Sequence, residues 1–302
     1  TGGGCPHILA EPQRTNLIPY SEDFTQWTPV GSPIISSNYG TSPDGTLNAD
    51  RIQMETGDRL YEGSTTPNVS FSVYAKSNDG LSHTVSMRDG GGIVTFDMVV
   101  TNEWQRFEVY LNTTMSNVQF RSFEDDVDIL MWAAQVEVGS YPTSYIPTSG
   151  STVTRNQDIF TRDGIGSLIN STEGVLFVEM AALSDDLTDR RISLNDGSVS
   201  NQIIIGYSRF TGNIINEVFS GGSIQNVNWA ANGVTQTNNN KFALSWGSGT
   251  MKFYLNGLQT NIETGITSPV GLNNLEFSIG NDTLNMFGKV KQLQVYDTAL
   301  TD

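Results

Sequence analysis

The strongest constraint on the fold of this chain is the strict alternation of apolar and polar residues in short stretches. Between Asn68 and Lys76, Val, Phe, Val and Ala occupy every second position, and polar or aromatic residues stand between them. A period of two places successive side chains on opposite faces of an extended strand, so one face is buried and the other is wet. The pattern returns at residues 84–88, 105–111 and 118–121, each bounded by Gly, Asn or Asp. The first half therefore predicts an antiparallel β-sandwich.

A second series of strand patterns fills the C-terminal half of the 302-residue chain, at residues 175–182, 202–209, 241–246, 251–255, 275–279 and 289–296. Between the two series, residues 139–150 are rich in Pro, Ser, Thr and Tyr and have no period. This organisation predicts an all-β protein of two tandem antiparallel β-sandwiches. The expected boundaries are a connecting segment at 1–15, a first sandwich at 16–147, a linker at 148–170 and a second sandwich at 171–302.

The charge of the chain limits its partners. Thirty-two acidic residues against 16 Lys and Arg give a net charge of −16, which repels nucleic acid and anionic lipid. A densely anionic polysaccharide is disfavoured as well, unless the few arginines gather at one site, so a neutral or weakly charged glycan is expected. No run of 18 apolar residues is present, and no membrane insertion is expected.

Residues for catalysis are scarce. The only histidines are His7 and His83, and Cys5 is the only cysteine. The second half therefore has no Ser-His-Asp site, and a zinc cage and an intrachain disulfide are excluded by counting. Glu103 and Glu108 fall on opposite strand faces because their separation is odd, so they form no acid and base pair. The chain is expected not to be an enzyme; a polysaccharide hydrolase or lyase with residues spread over loops is the less favoured alternative.

Calcium is the one metal that the acidic loops could hold, because it needs only oxygen ligands. Calcium in a β-sandwich commonly ties an early segment to the final strand. Glu22 and Asp23 meeting Asp128 are therefore the predicted ligands of a structural calcium ion. Solvated acidic loops are the alternative interpretation.

Sugar-binding surfaces combine aromatic rings, which stack on the C–H edges of a sugar, with polar side chains that hydrogen-bond its hydroxyls. Trp104 and Trp132 are assigned to the core. In the first half, the residues that alternation places on non-core faces, where they could line one platform, are Tyr74, Arg88, Gln119 and Arg121.

The second half offers a smaller set of candidate sugar contacts. Tyr207 and Arg209 share one face of a predicted strand, since they are two residues apart. Trp229 stands in a loop-like stretch of Gly, Ser, Asn and Gln and is the more exposed aromatic residue by this pattern. The three residues are predicted to bind carbohydrate.

Several phrases of the sequence resemble modules of phage virion proteins. These phrases are Glu11-Pro-Gln-Arg-Thr-Asn-Leu17, Tyr20-Ser-Glu-Asp-Phe24, Ser42-Pro-Asp-Gly-Thr46, Met131-Trp-Ala-Ala-Gln-Val-Glu137, Thr143-Ser-Tyr-Ile-Pro-Thr148 and Val153-Thr-Arg155. The first half resembles family 4/9-type carbohydrate-binding modules with a jelly-roll fold. The phrases Tyr254-Leu-Asn-Gly257 and Val295-Tyr-Asp-Thr-Ala-Leu-Thr301 resemble the concanavalin A-like, laminin G-type sandwich.

The resemblance implies a virion adhesin or spike of a phage or prophage, exposed on the virion surface or otherwise extracellular. Its expected partners are a cell-surface polysaccharide and other virion subunits, and a homo-oligomer is compatible with such a role. Glycosidases that share the concanavalin A-like fold carry two glutamates around an aspartate on one strand, and nothing between Val175 and Tyr296 matches that pattern. A structural or decorating virion protein without a sugar ligand is the alternative.

Overall fold

The structure is a computed structural model that describes residues 7–63, 66–113, 116–210, 212–231 and 233–299. Cys5 and the last residues of the phrase that ends at Thr301 lie outside the described residues. Within these ranges the chain forms 24 strands and two short 3-10 helices. None of the described helices is long and apolar enough to cross a bilayer.

The strands are β1 (Ile8–Ala10), β2 (Arg14–Asn16), β3 (Thr28–Val30), β4 (Ile34–Thr41), β5 (Leu47–Met54), β6 (Arg59–Gly63), β7 (Val69–Ser77), β8 (His83–Asp89), β9 (Thr95–Val100), β10 (Gln105–Leu111), β11 (Asn117–Ser122), β12 (Val127–Val138), β13 (Val153–Arg155), β14 (Thr161–Arg162), β15 (Gly174–Ala182), β16 (Arg190–Asn195), β17 (Gln202–Tyr207), β18 (Asn213–Ser220), β19 (Ser223–Ala231), β20 (Asn240–Gly247), β21 (Thr250–Leu255), β22 (Leu258–Thr264), β23 (Asn274–Glu276) and β24 (Gly288–Tyr296). The 3-10 helices are Phe24–Gln26 and Gly166–Leu168.

The first compact unit, Gln13–Asn156, is a sandwich of two five-stranded sheets. One sheet has the order β10-β7-β12-β5-β4, the other has the order β3-β6-β11-β8-β9, and β2 and β13 form a small separate pair. All strand pairings are antiparallel. Phe71 from one sheet meets Phe120 from the other, with ring centroids 5.0 Å apart. Val69, Val73 and Ala75 are buried in the same core, as the period of two predicts.

The second unit comprises the described parts of residues 1–12 and 157–302. It is a sandwich of two six-stranded antiparallel sheets, with the orders β1-β24-β15-β20-β21-β22 and β14-β23-β16-β17-β18-β19. Trp246, Phe242 and Phe253 fill its core. The predicted fold class, all-β with two tandem antiparallel sandwiches, is confirmed.

The division of the chain differs from the predicted boundaries in its connecting segments. Residues predicted as an N-terminal connection contain β1, which pairs with β24 of the second unit, Ile8 lying opposite Val290. Residues predicted as a linker contain β13, which belongs to the first unit, and β14, which forms an edge of the second. These strands are only two or three residues long, too short for a period of two to be recognised.

Trp104 and Trp132 do not lie in the main core. A register shift between Trp132 and Gln135 interrupts the pairing of β12 with β7, and Ala133 has a φ of 59°. Such a bulge reverses the alternation of a strand, so Met131 and Ala134 both point into the core while Trp132 points outward. Trp104 and Trp132 join a separate cluster on the outer face of this sheet.

The assignment of β1 to the second sandwich predicts that Ala10→Asp destabilises the chain much more than Leu9→Asp. Ala10 is 1% exposed and belongs to the core, whereas Leu9 is 39% exposed. An unpaired buried carboxylate should lower the free energy of unfolding by about 3 kcal/mol or more. Denaturant unfolding of both variants measures the difference, and equal effects would contradict the assignment.

Candidate functional site

Three of the predicted sugar contacts of the first sandwich lie on one sheet face. Gln119 on β11 is the cross-strand partner of Arg88 on β8, and Arg121 is the partner of Ser86. Their neighbours Val118, Phe120 and Met87 point into the core. Arg88, Gln119 and Arg121 therefore belong to the outer face of the β3-β6-β11-β8-β9 sheet.

The same face includes two residues of β6 that are not among the predicted sugar contacts. On β6, Tyr61 is the partner of Gln119 and Arg59 is the partner of Arg121. Leu60 between them is buried, so the alternation of Arg59, Leu60 and Tyr61 could have identified them. We name as the arginine face the set Arg59, Tyr61, Ser86, Arg88, Gln119, Arg121 and Phe123.

The three guanidinium groups of the arginine face have no carboxylate partner among the described residues. Burial and the positive charges of Arg59 and Arg88 lower the pKa of Arg121. The Nε atoms of all three arginines are inaccessible to solvent and make no hydrogen bond within the described part of the chain. Arg121 lies over the exposed ring of Phe123, with Cζ 4.7 Å from the ring centroid. Asp97, the cross-strand partner of Ser86, lies on the same face, so three guanidinium groups share this face with one carboxylate and the face has a net positive charge.

The acidic residues adjacent in sequence to Arg59 and Arg88 accept hydrogen bonds from backbone N–H groups and do not pair with the arginines. Asp58 accepts hydrogen bonds from the backbone N–H groups of Ser32 and Glu55, at 2.9 and 3.0 Å. Asp89 accepts from the backbone N–H groups of Gly91 and Val94, at 2.9 and 2.6 Å. Both carboxylates are buried, and these bonds hold them in place.

Gln119 is part of the arginine face but does not reach its surface, so the predicted sugar contact at this residue is wrong. It is buried, and its Nε2 donates to the backbone oxygens of Asp89 and Gly90, at 3.2 Å each. These bonds hold the start of the Gly90–Gly92 loop. A Cβ on Gly92, whose φ is +67°, would overlap Nη2 of Arg88, so the glycine leaves the space that this guanidinium occupies.

The structure places Tyr74 away from the other three predicted residues. It lies on β7, in the opposite sheet of the sandwich. Its ring contacts Trp132 at a centroid distance of 5.4 Å, and Cζ of Arg106 lies 5.7 Å from its centroid. The single platform predicted from alternation is therefore wrong for Tyr74, because alternation gives the face of a strand but not the sheet to which the strand belongs.

Tyr207 of the second sandwich is a core residue. Its exposure is 0%, its hydroxyl donates to the backbone oxygen of Met180 at 2.8 Å, and it accepts from Nδ2 of Asn240 at 3.2 Å. Burial raises the pKa of the Tyr207 hydroxyl. The predicted sugar contact is wrong, because β17 ends at Tyr207 and Arg209 lies beyond it, so the two residues do not share a strand face.

Arg209 and Trp229 do come together. Trp229 lies on β19, and not in a loop as predicted. It is 46% exposed, and Phe210 beside it is 48% exposed, with ring centroids 6.4 Å apart. Cζ of Arg209 is 5.3 Å from the Phe210 centroid and 5.8 Å from the Trp229 centroid. We name as the tryptophan site the set Asp189, Arg191, Arg209, Phe210, Glu217 and Trp229.

A network of hydrogen bonds and ion pairs lies beneath the exposed rings. The indole Nε1 of Trp229 donates to Oε1 of Glu217 at 3.2 Å, and Nη1 of Arg191 donates to Oε2 of Glu217. Nη2 of Arg191 is 3.7 Å from Oδ1 of Asp189, which accepts from the backbone N–H of Arg209 at 2.8 Å. Arg191 and Glu217 are both buried. The network fixes the position of the indole.

The predicted calcium ligands are not brought together. Arg51 pairs with Asp128 through Nε and Nη2, at 2.8 and 2.6 Å, and together with Asn78 it lowers the pKa of this carboxyl. Glu22 accepts from the hydroxyl of Tyr145 at 2.8 Å, and Asp23 caps the 3-10 helix that begins at Phe24. No group of three or more His, Cys, Asp or Glu residues in the described ranges is placed to hold a metal. The proposed arrangement of Asp128 with Glu22 and Asp23 is therefore wrong.

No protein-family model matches the sequence, and no curated protein matches it. Among solved structures, galectin LEC-6 of Caenorhabditis elegans is 18% identical over 46% of this chain and 91% of that chain, with a TM-score of 0.35. Mouse laminin alpha1 domains LG4-5 are 9% identical over 100% and 96%, with a TM-score of 0.30. The CBM22-1-CBM22-2 tandem domain of Paenibacillus barcinonensis Xyn10C is 13% identical over 98% of both chains, with a TM-score of 0.30. Because these TM-scores are low, the likenesses carry no argument about function, and the side chains of this chain have to supply it.

The burial of Tyr207 predicts that Tyr207→Phe affects stability and not ligand binding. Removing the hydroxyl leaves the oxygen of Met180 without this donor and should lower the free energy of unfolding by about 1 kcal/mol. Denaturant unfolding and glycan titration of the same preparation measure the two effects. Loss of binding without loss of stability would contradict the core assignment.

Proposed function

We propose that the chain is a non-catalytic glycan-binding protein and that the tryptophan site holds a sugar ring. The observation that carries the proposal is the exposed pair of Trp229 and Phe210, fixed over a hydrogen-bonded and ion-paired network. A sugar ring presents a C–H face that packs on an aromatic ring, and hydroxyl groups at its edge that need polar partners. Arg209 and Asp189 stand beside the rings and supply both a donor and an acceptor.

The network supports a binding role because it removes motion from the exposed rings before a ligand arrives. Trp229 is held by Glu217, and Glu217 is held by Arg191. A platform fixed in this way loses little conformational entropy on binding, so more of the contact energy becomes affinity. A buried ion pair adds little stability by itself because both ions are desolvated. Its placement below an exposed indole fits a site for a ligand.

The proposal of a non-enzymatic role rests on the partners of the two carboxylates at this site. Glu217 accepts from the indole and a guanidinium, and Asp189 accepts from a backbone N–H. Glycoside hydrolysis requires one carboxyl group that gives a proton to the leaving oxygen and a second one across the sugar. Neither carboxylate has this freedom, which favours binding over a hydrolase or lyase activity.

The biological setting of the proposal comes from the resemblance of the sequence phrases. We place the chain in a phage or prophage virion protein, on the virion surface, where it contacts a host glycan next to other virion subunits. A structural calcium ion remains a prediction, without Asp128 as a ligand.

The test compares Trp229→Ala with Ile224→Ala, an exposed residue of the same strand. A glycan array identifies a bound oligosaccharide for the unaltered chain, and calorimetric titration gives the affinities. We expect Trp229→Ala to weaken binding about tenfold or more, as for an aromatic residue at the centre of a contact. Ile224→Ala should bind like the unaltered chain, and Trp229→Phe should keep part of the affinity.

Two results would contradict this proposal. The first is that the chain binds none of the host polysaccharides on an array. The second is equal binding by the Trp229→Ala and Ile224→Ala variants. Product assays on the bound polysaccharide provide the check on catalysis, since new reducing ends or unsaturated products would show an enzyme.

A further inference from the structure

From the arginine face of the first sandwich we infer a second binding site, specific for an anionic group on a polysaccharide, either a uronate carboxylate or a sulfate ester. The inference deepens the proposed function and rests on it, because it names the class of glycan. It concerns side chains other than those of the tryptophan site, so the two can be tested separately.

The first step is the gathering of like charges. Between Gln13 and Asn156 the sequence has 17 acidic residues and eight Lys and Arg. Three of the eight, Arg59, Arg88 and Arg121, lie on one sheet face without a carboxylate partner among the described residues. Their mutual repulsion lowers the pKa of Arg121, after the larger effect of burial. Such a cluster costs stability unless an anion from outside the chain compensates it.

The second step is the contrast with three other arginines of the chain. Arg51 pairs with Asp128, Arg190 with Asp186 and Arg191 with Glu217. Carboxylates are therefore available as partners elsewhere in an acidic chain. At the arginine face the nearest acidic residues in the sequence, Asp58 and Asp89, are buried and hold backbone N–H groups instead.

The third step is a set of buried polar atoms that lack partners. The hydroxyl of Ser86, the cross-strand partner of Arg121, is buried and makes no hydrogen bond within the described residues. The Nε atoms of the three arginines also lack a partner, but so do those of Arg106 and Arg191 elsewhere in the chain, so the Ser86 hydroxyl is the more specific observation. Buried polar groups normally have partners, and planar guanidinium donors match a carboxylate or sulfate in geometry and charge.

The fourth step concerns the neighbours, which indicate a glycan and not a bare ion or a dense polyanion. Tyr61 and the exposed ring of Phe123 flank the guanidinium groups, and they offer apolar surface for a sugar ring. The net charge of −16 repels a polymer that is charged at every unit. A polysaccharide with a carboxylate or sulfate at intervals meets both conditions.

The test uses matched pairs of polysaccharides that differ only in charge. Hyaluronan, which carries one carboxylate per disaccharide, and its carboxyl-reduced form test carboxylates. Kappa-carrageenan, which carries one sulfate per disaccharide, and its desulfated form, which is neutral, test sulfate. The variant is the double substitution Arg88→Gln with Arg121→Gln, and its control is Lys241→Gln with Lys289→Gln, which removes the same charge from two exposed lysines of the second sandwich.

We expect the unaltered chain to bind the charged member of at least one pair about tenfold or more tightly than the neutral member. The double arginine variant should lose this preference, and the lysine control should keep it. Without ligand, the arginine variant should melt at the same temperature as the unaltered chain or at a higher one, because it removes repulsion. A purely structural role of the arginines predicts the opposite shift.

The outcomes separate this inference from the proposed function. Binding of a glycan through Trp229 with no preference for charge, or a preference that survives in the double arginine variant, overturns the anionic site and leaves the proposed function standing. Absence of all glycan binding overturns both. Preference for the carboxylate pair alone or for the sulfate pair alone supports the site and identifies its anion.

Discussion

The whole arrangement depends on the burial of one face of every sheet. In each sandwich the apolar face of one sheet packs on the apolar face of the other, as Phe71 packs on Phe120. Because side chains alternate along a strand, this packing also decides which residues remain outside the core. The arginines of the first unit and the indole of the second occupy such outer positions, so the candidate sites are consequences of the same constraint that holds the sandwiches together.

The period of two predicts much of this from sequence, and its failures have physical causes. It correctly places Arg88, Gln119 and Arg121 on one outer face, since β8 and β11 have regular alternation. It cannot say which sheet a strand joins, so it groups Tyr74 with these residues although Tyr74 lies in the opposite sheet. It also fails at the bulge of β12, where one extra residue turns Trp132 out of the core.

Other features lie outside what alternation can reveal. The strand at Ile8–Ala10 forms through backbone pairing with β24, so it depends on a contact between residues from opposite ends of the chain. The ion pair of Arg191 with Glu217 crosses β17, where the cross-strand partner of Arg191 is Gly206, which has no side chain. The polar surroundings of Trp229 in the sequence identify it as a candidate. Its hydrogen bond to Glu217, which makes it a fixed platform, depends on the register of β18 and β19.

The two candidate sites would bind their ligands through different interactions, although both lie in one acidic chain. The tryptophan site offers flat apolar surface held by a hydrogen-bonded and ion-paired network, whereas the arginine face offers three guanidinium groups without a carboxylate partner among the described residues. Stacking on an aromatic ring tolerates many sugars, and a guanidinium cluster selects for an anion. Together they would give a binding protein whose affinity and selectivity come from separate places.

The most direct test of glycan binding by this chain is an NMR titration of the indole N–H signals with a bound oligosaccharide. The chain has five tryptophans, of which Trp27 and Trp246 are buried in the cores and Trp104 and Trp132 belong to the outer cluster of the first sandwich. Binding at the tryptophan site predicts that the ligand shifts the signal of Trp229 and leaves those of Trp27 and Trp246 in place. Saturation with the ligand while the Trp229 signal stays unchanged, above all if Trp104 or Trp132 shifts instead, would contradict the account.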